Sequence, residues 1–388
     1  MSRKINLERL WMFSLFLTVL MSLLSYEINL YYRYYNYATF MVIFSGIAIF
    51  YCFTLLAPRD MFNDFKREIY GNKLVQFWIF AQYLVIFLGS FLGKDVTLSN
   101  LIRLIAIIPV IWVFYIFIPK NLNEKMIYKL GTFIIFCITS FSFIGTIIKV
   151  NGQFMGYTMF YGRLRSLFFD PNYFAALVGV AFLLSYNRKG FYKFIAAFNL
   201  IIIIWTGSRT AIIALIVTTI LMYFYKKKIK IKDLLKIPFI LTFLYFILYY
   251  LFQSGFFRTS QGLGSRDRLA EITFIMLKEE PFLGYGMNAV TPLLNSYRTL
   301  SSSTHNTYLD YALTYGIPLT IIYLLVIFFA MYRGFKAKIE GNILCVLIFL
   351  FIFSNSIAIS LGGVGAISLI FTLYLGYCNT KNSLITKI

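Results

Sequence analysis

The only histidine of the chain, His305, lies in a long polar stretch at about residues 253–307. Imidazole has an ordinary pKa suited to proton transfer near neutral pH, so His305 is the best candidate for a general base. The alternative is a hydrogen-bonded histidine at the membrane interface with no chemical role. The stretch also contains four arginines, namely Arg258, Arg266, Arg268 and Arg298. Because guanidinium groups bind phosphate through paired hydrogen bonds, the stretch predicts chemistry on an anionic, lipid-linked substrate at a membrane surface.

Each of four predicted helix starts combines polar residues with an arginine or with the histidine. A helix N-terminus carries about half a positive charge, so an added cation is unfavourable there unless an anion is bound. The four are Asp170-Pro171-Asn172, preceded by Arg163 and Arg165; Gly207-Ser208-Arg209-Thr210; Gly264-Ser265-Arg266-Asp267-Arg268; and Thr304-His305-Asn306. If they converge in space, they form an anion-binding site.

Each of these residues also has a structural interpretation. Asp170 followed by Pro171 is a common helix N-cap with proline at the first helical position, and this interpretation is the better one there. Arg209 could extend to lipid headgroups, but arginine near the membrane favours a functional role. Arg266 and Arg268 could bind headgroups or pair with neighbouring carboxylates. For Arg266 we favour function because of its place at the helix start.

The composition predicts an all-α polytopic membrane protein. The 388 residues are 60% hydrophobic and only 13% charged, with a mean hydropathy of +0.76. Soluble domains have about 25% charged residues. Apolar runs predict about twelve transmembrane helices, at about 10–26, 39–57, 75–92, 101–118, 127–148, 173–186, 191–206, 211–225, 237–252, 308–332, 343–359 and 363–378. We expect one membrane domain over 1–388, with scaffold helices at 1–148, a catalytic region at 149–335 that includes the loop 253–307, and C-terminal helices at 336–388.

The distribution of basic residues predicts the orientation. With both termini cytoplasmic, the run from Lys226 to Lys232 faces inward and the loop 253–307 faces outward. The net charge of +21 then reflects topology and not nucleic-acid binding. Eighteen lysines and six arginines fall on the inner side, against three lysines and nine arginines on the outer side. This excess of outward arginine indicates anion recognition.

One segment of the outer loop has the pattern of an amphipathic helix. Apolar residues recur at helical spacing between Ser265 and Glu280, and Pro281 ends the segment. They are Leu269, Ile272, Ile275, Met276 and Leu277. We expect this helix to lie on or dip into the outer membrane surface.

Several kinds of chemistry lack support in the sequence. It has no GxxxxGK[ST] phosphate loop, no HExxH motif and no DxD pair. Its four cysteines lie in apolar runs without CxxC spacing, so neither a disulfide framework nor a metal site is indicated. We therefore expect no metal and no cofactor, with arginines stabilising an anionic leaving group.

The motifs between about residues 150 and 335 occur in a characteristic order. They are Asp170-Pro171-Asn172, Ser208-Arg209-Thr210, Gly264-Ser265-Arg266-Asp267-Arg268, Gly284-x-Gly286 and His305-Asn306-x-Tyr308-Leu309. In order, loop position and span layout, the chain resembles the O-antigen polymerase and O-antigen ligase superfamily.

This resemblance implies a metal-independent, inverting glycosyltransferase on the outer face of the cytoplasmic membrane. The donor would be a polyprenyl-pyrophosphate-linked oligosaccharide, and the expected partners are membrane lipids, a chain-length regulator and a flippase. By motif position, Arg209 and Arg266 would bind the pyrophosphate and His305 would be the base. Candidate substrate-binding residues are Arg163, Arg165, Asp170, Asn172, Ser208, Arg268, Asn306 and Tyr308.

Within the superfamily, a polymerase extends a glycan on lipid-linked repeat units, whereas a ligase transfers it to another acceptor. We favour a polymerase because no feature of the sequence indicates recognition of a lipid A core. A flippase for the same lipid-linked substrate is the alternative from another class. It is less favoured because the cations lie at the outer surface and no repeated halves are visible. A cell-wall polymerase is a third possibility, but the acidic motif that it would need is missing.

Overall fold

The structure is a computed structural model. It describes residues 12–13, 15–24, 66, 69, 71–91, 105, 107–108, 110–160, 162–226, 265–286, 289–297, 303–363 and 365–385. The predicted spans at about 39–57 and 237–252 lie outside these residues, as do Arg258, Gly264 and Arg298. The side chains of Ser265 and Arg266 also lie outside them.

The described chain is helical apart from one short hairpin. Its helices are α1 (Lys73–Phe91), a π-helix (Ile111–Phe117), α2 (Ile118–Asn121), α3 (Glu124–Asn151), α4 (Pro171–Ser185), α5 (Phe191–Trp205), α6 (Arg209–Lys226), α7 (Ser265–Glu279), α8 (Val290–Ser296), α9 (Thr307–Tyr315), α10 (Ile317–Lys336), α11 (Gly341–Phe353) and α12 (Ala366–Ile385). The antiparallel strands β1 (Gln153–Phe154) and β2 (Tyr157–Thr158) form the hairpin after α3. The helical class is confirmed, with this hairpin as an addition that the sequence did not predict.

Three described helices are long and apolar enough to cross a membrane, namely Lys73–Ser90, Glu124–Asn151 and Ile317–Lys336. The shorter apolar helices are Pro171–Ser185, Phe191–Trp205, Arg209–Tyr223, Gly341–Phe353 and Ala366–Thr380. The chain is therefore an integral membrane protein of helical type, and the total of twelve spans stays a prediction.

Two predicted spans differ from the structure. The span predicted at 308–332 is two helices, because Gly316 has a φ of 86° and Pro318 follows in the first turn of α10. A left-handed residue ends α9, and proline then begins a new helix more easily than it continues an old one. The span predicted at 343–359 is also too long, since α11 ends at Phe353 and residues 354–360 form an irregular linker. We call residues 354–360 the α11–α12 linker.

Two apolar clusters hold these elements together. The large one joins α3, α4, α5, α6, α10, α11, α12 and the π-helix. One close approach within it is that of Gly179 in α4 to the ring of Phe349 in α11, where a Cβ would clash with the ring. This packing sets the start of α4 beside the α11–α12 linker. The smaller cluster joins α7, α8 and α9 through Leu269, Ile272, Met276, Leu277, Val290, Leu294, Ala312 and Leu313.

Candidate functional site

The start of α4 is fixed by Asp170. Its Oδ1 accepts hydrogen bonds from the backbone N–H groups of Asn172 (2.7 Å) and Tyr173 (3.3 Å). Pro171 occupies the first helical position, where no N–H is needed. The structural interpretation of Asp170 as an N-cap is therefore confirmed. Substrate binding by its carboxyl group stays a prediction.

Arg163 ties the start of α4 to the start of α6. Its Nε donates to the carbonyl of Thr206 (2.8 Å), and its Nη2 donates to Oδ1 of Asn172 (2.9 Å). The same Oδ1 accepts a bond from the hydroxyl of Ser208 (3.1 Å). Gly207 has a φ of 61°, and a Cβ there would lie 3.5 Å from Nε of Arg163. Three predicted site residues, Arg163, Asn172 and Ser208, are thus joined in one polar network.

Arg165 lies outside this network. Its Nε and Nη1 make long bonds of 3.5 and 3.4 Å to the carbonyls of Thr158 and Phe169. The guanidinium carbon lies 5.6 Å from the centre of the Phe160 ring. Bonds of this length are weak, so Arg165 is held far less firmly than Arg163.

Arg209 is the first residue of α6, and its side chain is half-buried. The turn before it is fixed by the hydroxyl of Thr206, which accepts a bond from the N–H of Ser208 (3.3 Å). The residue after it, Thr210, shares a hydroxyl–hydroxyl bond of 2.6 Å with Ser356 of the α11–α12 linker. Both neighbours of Arg209 are therefore anchored, which fixes its backbone at the helix start.

The α11–α12 linker also receives the start of α9. The N–H of Thr307 donates to the carbonyl of Ser354 (2.9 Å). The hydroxyl of Thr307 donates to the carbonyl of Ile357 and accepts from the N–H of Ile359, both at 2.8 Å. Thr307 is only 5% exposed, so these bonds lie out of contact with water.

Two further bonds reach the linker from α4 and from the turn before α9. The hydroxyl of Tyr173 donates to the carbonyl of Ala358 (3.4 Å), and Nδ2 of Asn306 donates to Oδ1 of Asn355 (3.4 Å). The starts of α4, α6 and α9 therefore meet at one segment. The sequence did not predict this role, because the span predicted at 343–359 includes most of the linker. The signal was the polar triplet Ser354-Asn355-Ser356 inside an otherwise apolar run.

His305 is held in a left-handed conformation, with a φ of 56°, just before α9. Residues on either side fix the turn: the N–H of Thr304 donates to Oδ1 of Asp310 (2.8 Å), and the hydroxyl of Thr304 donates to the carbonyl of Asn306 (3.0 Å). Non-glycine residues seldom adopt this conformation, and such strain persists where the surroundings impose it. The His305 side chain is exposed.

The residues after His305 secure α9. Oδ1 of Asn306 accepts from the N–H groups of Tyr308 (3.0 Å) and Leu309 (3.2 Å), so Asn306 is the N-cap. The hydroxyl of Tyr308 donates to the carbonyl of Phe351 in α11 (2.8 Å). These contacts give Asn306 and Tyr308 structural roles beside their predicted binding roles.

The fourth predicted helix start belongs to α7, which packs against α9. The predicted helix is confirmed, but Leu269, Ile272, Met276 and Leu277 are buried against α8 and α9. Only Ile275 of the predicted apolar stripe is exposed. The stripe therefore serves mainly to pack α7 onto protein, and a membrane-surface position stays a prediction.

The far end of α7 is joined to the end of α9. The N–H of Tyr285 donates to the carbonyl of Leu313 (2.6 Å), and the N–H of Ile317 donates to the carbonyl of Pro281 (2.8 Å). A Cβ on Gly284 would lie 2.6 Å from the Leu313 carbonyl oxygen. The side chain of Arg268 is exposed near the start of α7. A meeting of Arg266 or Arg268 with the α11–α12 linker stays a prediction.

Among the described residues, the starts of α4, α6 and α9 meet around the α11–α12 linker. Together they provide hydroxyl, amide and arginine groups of the kind that bind an anion. Within the described part of the chain, no group of three His, Cys, Asp or Glu side chains could hold a metal ion.

Comparison with known proteins gives a family match over part of this region. Residues 194–324 match the family model described as O-antigen ligase. The matched segment contains Arg209, α7, the His305 turn and α9. A search of curated proteins finds no match to this chain.

Proposed function

We propose that this chain, a member of the O-antigen polymerase and ligase superfamily, joins polyprenyl-pyrophosphate-linked oligosaccharide repeat units on the outer face of the cytoplasmic membrane. The observation that carries the proposal is the meeting of three polar helix starts at the α11–α12 linker. The family match, which covers two of those starts, adds independent support.

In the proposed reaction, the hydroxyl of an acceptor sugar attacks the anomeric carbon of the donor sugar. The new C–O bond forms on the face opposite the departing pyrophosphate, so the anomeric configuration inverts. His305 accepts the hydroxyl proton, for which its exposed side chain at a fixed turn is suited. The electron pair of the broken bond leaves with the lipid pyrophosphate.

The negative charge that develops on the pyrophosphate needs fixed positive partners. Arg209 provides one at the start of α6, where the helix dipole adds to its charge. Arg266, in the first turn of α7, is the second candidate, with Arg268 as an assisting cation. Arg163 acts differently, because its two bonds to Thr206 and Asn172 make it a positioning residue for the α4 and α6 starts.

The proposal is tested by complementing cells in which the gene is deleted and separating lipid-linked glycans on gels. Removing a preorganised group that stabilises transition-state charge typically costs two to three orders of magnitude in rate. We expect Arg209→Ala to abolish the glycan ladder and Arg209→Lys to restore only a trace, since lysine keeps the charge but not the fork. Lys278→Ala is the matched control, because it removes an exposed cation from α7 and should leave the ladder intact.

A ligase is the second candidate, because the description of the matching family model names that activity. The same gels separate the two. Single repeat units that accumulate in the deletion strain support a polymerase, whereas long lipid-linked chains that are not transferred support a ligase. A normal ladder from Arg209→Ala would overturn the assignment of Arg209 under either activity.

A further inference from the structure

A cavity lies beside the C-terminal end of α10, which is the end far from the candidate site. It has a volume of about 250 Å³. Its polar lining comes from Asn72 and Lys73 at the start of α1, Arg333 in the last turn of α10, and Asn379 of α12. Because Arg333 follows Ile317 by 16 residues in α10, its backbone lies roughly 24 Å from the end of α9. The cavity is therefore a different site from the one at the α11–α12 linker.

The cavity wall holds a guanidinium group in a fixed position. Nη1 of Arg333 donates to both the side-chain Oδ1 (2.8 Å) and the backbone carbonyl (3.3 Å) of Asn379. Asn379 in turn donates to Oδ1 of Asn72, which links α12 to the residue before α1. The guanidinium carbon lies 4.6 Å from the centre of the Phe329 ring. Both hydrogen bonds thus begin at one nitrogen, which orients the planar group from a single side.

The described charged residues that line this cavity are all cations. Lys73 and Arg333 both line it, and no acidic residue occurs among its described lining residues. Two cations around one cavity repel each other unless an anion lies between them. Most of the remaining lining is apolar and includes Leu74, Val75 and Val326, and Tyr115 also lines the cavity. The cavity therefore combines a cationic polar wall with an apolar one.

The cavity also lies at a membrane boundary. Lys73 is the first residue of one candidate span, Lys73–Ser90, and Arg333 lies in the last turn of another, Ile317–Lys336. Lipid headgroups lie where spanning helices end. In the predicted orientation, this is the cytoplasmic leaflet.

We propose that the cavity binds the phosphate of an anionic phospholipid. The fork of Arg333 and the ammonium of Lys73 contact the phosphate oxygens, Asn72 and Asn379 face the glycerol region, and the apolar wall receives the first carbons of an acyl chain. This lipid site is formed by α1, α10, α12 and the π-helix, and the proposal does not depend on the proposed reaction.

A simpler interpretation is that cations near the end of α10 only complement its helix dipole. The two interpretations differ for Lys336, which lies in the same last turn as Arg333 but does not line the cavity. If the cations only complement the helix dipole, Lys336 contributes to the effect and Lys73 does not. If the cavity binds a lipid, Lys73 contributes to binding and Lys336 does not.

The test is native mass spectrometry of the full-length protein purified with phosphatidylglycerol or with phosphatidylcholine. We expect wild type and Lys336→Gln to retain one phosphatidylglycerol more strongly than phosphatidylcholine. Arg333→Gln and Lys73→Gln should each weaken that retention about fivefold, as expected for one basic residue near an anionic lipid surface. Lys73→Gln changes an exposed residue at a helix start, so it keeps the test valid if Arg333→Gln does not fold.

Three results would overturn the proposal. One is equal retention of the two lipids by wild type. Another is a loss with Lys336→Gln as large as that with Lys73→Gln. The third is displacement of the bound lipid by excess inorganic phosphate, which would make this a site for free phosphate.

Discussion

Replacing Thr307 with valine should remove two of the hydrogen bonds that join the α11–α12 linker to the start of α9, with almost no change in side-chain volume. The hydroxyl donates to the Ile357 carbonyl and accepts from the Ile359 N–H, both at 2.8 Å, and Thr307 is 5% exposed. Valine leaves both backbone groups without this partner. A buried polar group that loses its partner costs about 1–3 kcal/mol, so the two together cost about 2–4 kcal/mol if the linker relaxes partly.

The assay has two readouts, the melting temperature of the purified protein and the glycan ladder in complemented cells. We expect Thr307→Val to lower both, and Thr307→Ser to restore both because serine keeps the hydroxyl. Thr273→Val is the matched control. Its buried hydroxyl donates to the Leu269 carbonyl, so the hydrogen bond that is removed lies within α7. A melting temperature and ladder unchanged by Thr307→Val, or a serine variant as defective as valine, would refute the reasoning.

Three other substitutions test single features of the site. Gly284→Ala should sharply reduce the amount of folded protein in membranes, measured by quantitative blotting, because its Cβ would lie 2.6 Å from the Leu313 carbonyl oxygen. Gly156→Ala is the control: it has a similar positive φ but open space around it, so it should reduce the amount less, through the strain of that φ alone. His305→Asn should retain the wild-type melting temperature, since asparagine tolerates a φ of 56°, yet give no ladder because the imidazole is lost. Arg163→Lys should lower the melting temperature, because lysine cannot reach both the Thr206 carbonyl and Asn172 with a planar fork; an unchanged value would contradict the positioning role.

Much of the helical layout follows from local signals in the sequence. The N-cap at Asp170 and the proline after α7 fix helix boundaries to within two residues, since capping chemistry acts locally. The break at Gly316 is harder to predict. Its φ is positive, and the Phe282 backbone lies so close that a Cβ on Gly316 would clash with it, which depends on a contact distant in sequence.

The site itself was predictable only in its parts. Residue types and spacing indicated which helix starts carry polar groups, but their meeting depends on the α11–α12 linker. In the sequence, Ser354 and Ser356 differ from their neighbours only as polar residues in an apolar run, and a hydropathy window includes them in a span. Their role follows from partners 47 and 146 residues away in sequence, at Thr307 and Thr210, which no local pattern encodes.

Helix interruptions and polar side chains occur together in this protein for a physical reason. Backbone groups released where a helix ends within a membrane protein must find partners inside the protein. Thr307 supplies them for Ile357 and Ile359, and Arg163 does so for Thr206. Replacing residues of this kind should lower the stability and the activity of the protein together. His305 is exposed and thus accessible to a sugar hydroxyl, so its replacement should remove activity alone. Comparing melting temperature with ladder formation across both kinds of variant therefore separates the framework of the site from its chemistry.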